Sequence, residues 1–68
     1  MNAAEEAALR AELVELQQQH RDLDDSITAL QAMPSPDQIQ IIRLKKNKLK
    51  LRDRIQDIED KLFPDLIA

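Results

Sequence analysis

Apolar residues recur along this chain at alternating steps of four and three. The first set is Leu9, Leu13, Leu16, Leu23, Ile27 and Leu30, with His20 filling the step between Leu16 and Leu23. The pattern breaks at Pro34 and Pro36 and resumes as Ile41, Leu44, Lys48, Leu51, Ile55, Ile58 and Leu62. A period of about 3.5 residues puts these at the a and d positions of a heptad, one narrow stripe on each of two helices. The spacing predicts a single unit made of a helix over about 3–33, a turn at 34–36, a helix over about 37–63 and a tail at 64–68. Asn2 is placed to cap the first helix, with Glu5 reaching back to its N–H and Glu5 and Glu6 at the positive end of the dipole. Pro34 lacks an N–H and drives Met33 out of helical geometry, which ends that helix. Ser35, Pro36 and Gln38 then read as N-cap, first helical position and capping-box partner of the second.

The two stripes fit one register. With the turn centred between Ser35 and Pro36, facing residues have numbers adding to 71: Leu30 with Ile41, Ile27 with Leu44, Leu23 with Lys48, His20 with Leu51, Leu16 with Ile55, Leu13 with Ile58, and Leu9 with Leu62. Each layer joins an a to a d, as antiparallel packing requires. The flanking positions oppose Arg10 to Glu59, Asp24 to Lys45 and Glu12 to Lys61, and set Gln17 and Gln19 against Arg52 and Arg54. Exposed pairs of that kind add only ~0.2–1 kcal/mol each, so they select the register more than they hold it. The expected fold is all-α: a two-helix antiparallel coiled-coil hairpin.

Composition narrows the chemistry. The 68 residues contain no Gly, Cys, Trp or Tyr, one Phe and one His, which suits long helices and offers neither a disulfide nor a zinc site of ordinary composition. No cofactor is expected. No apolar run is long enough to span a membrane, and Met1 to Leu9 lacks the basic and apolar blocks of a signal peptide, so a cytoplasmic setting without membrane partners is expected. The net charge of −3 is unevenly spread. Residues 1–33 carry seven carboxylates against two arginines, and residues 34–68 carry eight cations against six carboxylates, so the halves attract.

Two segments, His20-Arg-Asp-Leu-Asp-Asp-Ser-Ile27 and Leu44-Lys-Lys-Asn-Lys-Leu-Lys-Leu-Arg-Asp-Arg-Ile55, resemble the paired signatures of the YdcH-like family of small bacterial helical-hairpin proteins. The resemblance covers roughly residues 9–58, with Arg52 standing where the family more often has Lys. It implies the hairpin fold and a bacterial cytosolic setting. Because the family is a domain of unknown function, it implies no activity. In size and coiled-coil character the chain is also similar, more distantly, to SlyX proteins.

Three features invite a functional reading. The basic stretch Arg43, Lys45, Lys46, Lys48, Lys50, Arg52 and Arg54 suggests phosphate contacts, yet on a helix these cations point in all directions and no aromatic residue accompanies them. Only Arg43, Lys46 and Lys50 point clearly outward, forming the candidate basic patch. His20 and Lys48 occupy adjacent core layers on opposite helices and read as polar residues that fix register more than as chemistry. The third feature is an apolar stripe outside the seam: Ile39, Ile42, Leu49 and Phe63 on the second helix, with Ala7, Ala11 and Val14 on the first. A hairpin of this size folds with a slim margin and leaves that stripe uncovered, so self-association, for instance into a four-helix bundle, or docking on a larger protein is expected there. With no cleft-forming loops, an enzyme is not expected. The expected function is a non-enzymatic protein-interaction module; the alternative is a nucleic-acid-associated protein using the basic stretch.

Overall fold

Asn2 holds an extended backbone, and its side-chain oxygen accepts the Glu5 N–H at 2.8 Å, opening α1 over Ala3–Gln31. The Glu5 carboxylate turns back, but to the Asn2 side-chain amide at 3.3 Å instead of to the backbone. At the other end Ala32 N–H reaches Thr28 O at 3.2 Å and Met33 N–H tightens onto Leu30 O at 3.3 Å. The helix thus closes two residues before the expected boundary, because Pro34 disturbs the turn ahead of it as well as Met33 itself.

The second helix, α2, covers Gln38–Leu62. Its N-cap is Asp37, whose carboxylate accepts the Gln40 N–H at 3.1 Å, not Ser35 as expected. Both residues satisfy the same cue, since Asp37-x-x-Gln40 is as good a box as Ser35-x-x-Gln38. A carboxylate also meets the positive end of the helix dipole with a full charge, which a hydroxyl does not. Phe63 ends the helix, its N–H donating to Glu59 O at 2.7 Å. The computed structural model describes residues 1–64; the remainder of the expected tail, with Leu66 and Ile67, lies outside the described residues.

The helices lie side by side and antiparallel in a slab of 50 × 24 × 14 Å, one helix thick. Lys48 meets Asp24 and Arg10 covers Phe63, pairs whose numbers add to 72 and 73, close to the expected 71. All fourteen seam positions are buried or half-buried, from Leu9 to Leu62. Only four are buried: Leu13 and Ile58 toward the open end, Ile27 and Ile41 beside the turn. The middle layers, Leu16, Leu23, Leu51 and Ile55 among them, are covered by the opposing helix but not from the sides.

This register makes a direct prediction. Cysteines replacing Leu9 and Leu62, or Leu30 and Ile41, are expected to form an intrachain disulfide under mild oxidation, since paired seam residues bring their Cβ atoms into range. Cysteines at Leu9 and Ile41 are expected to stay reduced within one chain. Non-reducing mass spectrometry reads the difference, and equal intrachain crosslinking of the mismatched pair would refute the register.

Candidate functional site

The heptad positions that flank the seam give the slab two broad faces of different character. On one, Gln17, His20, Arg21, Asp24, Arg52 and Ile55 line an open groove of about 540 Å³. On the other, Leu16, Gln19, Leu23, Asn47, Lys50, Leu51 and Arg54 line a groove of about 410 Å³. The first floor is polar and charged, the second mostly leucine.

The two polar seam residues are part of the first face. Lys48 leaves its layer along its four-carbon stem and places Nζ 2.7 Å from Asp24 Oδ1. That ammonium, with a smaller contribution from His20, holds the Asp24 carboxyl below its usual range. His20 is half-buried on the groove wall beside Arg21 and Arg52. Lys45, expected opposite Asp24, makes no ion pair among the described residues; the seam lysine reaches the carboxylate first.

Charge pairing elsewhere also departs from expectation. Glu12 binds Arg54 in a two-point fork, Nε to Oε1 at 2.9 Å and the second nitrogen to Oε2 at 3.1 Å. Lys61, expected opposite Glu12, goes instead to Asp57 at 3.3 Å, and Asp57 also accepts from Arg54 at 2.9 Å. A planar guanidinium matches a carboxylate at two points and a lysine cannot, which explains why Arg54 wins Glu12 from two turns away. The pairing raises the Arg54 pKa above its ordinary value, the Glu12 hydrogen bond contributing most. Arg10, expected opposite Glu59, pairs with Glu6 on its own helix at 3.1 Å and lies 5.4 Å over the Phe63 ring.

Of the outer-stripe residues, Val14, Ile39, Ile42 and Leu49 are exposed by 52–67%. Phe63 is half-buried beneath Arg10, so it belongs to the closure of the open end more than to an exposed stripe. Ile42 and Leu49 follow one another on α2 at a heptad interval, with Ile39 about one turn before Ile42. Val14 flanks Gln17 and Arg21 on α1, level with the far part of α2, and stands apart from them. The basic-patch residues Arg43, Lys46 and Lys50 are exposed and make no ion pair among the described residues. Sequence reasoning missed the leucine groove. Its signal is the run of uncharged residues Gln19, Ser26, Gln40 and Asn47, each just before the seam residue His20, Ile27, Ile41 or Lys48.

Among the described residues no cluster of His, Asp or Glu could hold a metal ion, and no helix is long and apolar enough to cross a membrane. The fold and its surfaces define a class: a small helical hairpin whose features are two open faces on a thin slab. A family model described as Protein of unknown function (DUF465) matches residues 13–59, most of the chain, and the chain belongs to that family. YdcH-like proteins are members of it, in line with the two signature segments. No curated protein and no solved structure matches the chain.

Proposed function

We propose that this protein is a non-enzymatic protein-interaction module of the bacterial cytoplasm, docking on a partner protein through the face that carries Ile42 and Leu49. The exposure of those two side chains with Ile39, more than half in each case, is the observation that carries the reading. Three large aliphatic residues along one side of a helix are retained at a cost in solubility unless something covers them. The charges around them say what that is. Arg10, Arg21, Lys45, Lys48 and Arg52 outnumber Asp24 and Glu59 on this face, so it suits a partner surface that is apolar at its centre and acidic at its rim.

A photo-crosslinking residue at Ile42 or Leu49, introduced in the native host, is expected to trap a discrete protein, and one at Glu15 on the opposite face is not expected to trap the same one. Nuclease-sensitive crosslinks alone would overturn the reading in favour of nucleic acid, the reading that unpaired Arg43, Lys46 and Lys50 support. On the present one, duplex DNA binds no tighter than non-specific affinity, ~10⁻⁴–10⁻⁶ M at physiological salt. A sub-micromolar, sequence-dependent complex in that buffer would reverse the order of the two.

A further inference from the structure

The leucine-lined face is the less expected of the two, and its charges are arranged differently. On the α1 edge stand Glu15 and Asp22. On the α2 edge stand Arg43 and Lys50, with Asp57 held by Arg54 and Lys61, while Arg54 and Glu12 join across the face near its open end. Between the edges the flanking column is uncharged through Gln19, Ser26, Gln40 and Asn47, and Leu16, Leu23 and Leu51 form the floor. Apart from that fork, the face is therefore apolar along its middle, acidic on one long edge and basic on the other, with nearly balanced charge.

We infer that this face is covered by a second copy of the same chain, giving a four-helix bundle whose two-fold axis runs parallel to the helices. A surface acidic on one edge and basic on the other complements itself under one kind of two-fold and clashes under the other. With the axis parallel to the helices, α1 of each copy lies against α2 of the other and acid meets base. With the axis across the helices, α1 lies on α1 and α2 on α2, which sets Glu15 and Asp22 against their own kind. Because the parallel axis keeps both copies level, residues whose numbers add to about 71 also face each other between copies. Asp22 of one then lies beside Lys50 of the other, and the pair occurs twice.

Size agrees. A broad face of 50 × 24 Å exceeds the roughly 800 Å² per partner of an ordinary stable interface. Four buried side chains among the described residues are a small core for a 68-residue chain, and closing the leucine groove would bury the middle layers that the hairpin leaves open to the side. The opposite face, with its excess of cations, repels its own copy and stays free for the partner proposed above. The inference does not depend on that proposal, since the two concern different faces.

The test is a charge exchange followed by sedimentation equilibrium, with helicity recorded on the same samples. Wild type is expected to sediment as a dimer at micromolar concentration. Asp22→Lys and Lys50→Glu are each expected to weaken the dimer by at least about tenfold, since each turns two attractive pairs into two repulsive ones. The two together are expected to restore it. Ile42→Asp with Leu49→Asp is expected to leave it intact. A wild-type chain that is helical and monomeric throughout would overturn the inference, as would a dimer indifferent to both reversals, a double exchange that fails to restore it while helicity is retained, or a dimer lost only in the Ile42/Leu49 variant.

Discussion

Ile58→Ala is expected to unfold most of the protein at ordinary temperature. Ile58 is the most deeply buried side chain, with no exposed surface, and it shares its layer with buried Leu13. Removing an isoleucine's outer carbons from such a site costs ~2–5 kcal/mol, transfer and cavity together. A chain this small has a margin of about that size or less. The same truncation at Leu44, half-buried in the seam, should cost distinctly less, because water already reaches part of the side chain. Thermal melts followed by helicity check both at one protein concentration, which matters if folding and association are coupled. A similar melting temperature for Ile58→Ala and Leu44→Ala would mean that the core is spread evenly along the seam instead of concentrated in its end layers.

That concentration bears on what the sequence could reveal. A heptad stripe is a consequence of helix geometry, so the seam positions and the hairpin itself were legible in the spacing of Leu, Ile, His20 and Lys48. Caps and ion pairs were less so, because each depends on a competition that spacing does not decide. Ser35 and Asp37 offered the same box, and the carboxylate took it. Glu12 had Lys61 opposite and Arg54 two turns away, and the fork of Arg54 took it. Phe63 looked like part of an outer stripe until Arg10, released from Glu59, folded over it. The leucine groove escaped notice for another reason: its floor consists of seam residues already assigned to the core. Only side-by-side placement of the helices shows that the seam is open at its edge.

The polar layer of Leu23 and Lys48 allows the sharpest remaining test. Lys48 occupies a seam position but sends its ammonium to Asp24 at 2.7 Å, leaving the stem in the layer and the charge at the surface. About a third of the lysine side chain and half of the carboxylate are exposed, so solvent screens the pair and it adds little to stability. Lys48→Leu fills the layer with carbon throughout and is expected to raise the melting temperature by several degrees, on the scale of ~4–8 °C per kcal/mol for a domain of this size. It should also weaken specificity, since a seam with one polar position fewer tolerates other registers and oligomers. The pH dependence separates the two contributions. Lys48 lowers the Asp24 pKa in the folded protein, so the stabilisation it provides is fully present above the ordinary carboxylate pKa and is lost as the pH falls through the lowered folded value. Wild type is therefore expected to lose more stability on acidification than Lys48→Leu, and Asp24→Asn in wild type should remove that difference. Lys48→Leu melting below wild type at neutral pH would mean that the ammonium supports the fold more strongly than a screened pair can. The groove beside His20, Arg21 and Arg52 would then be a built polar site and not merely the margin of a seam.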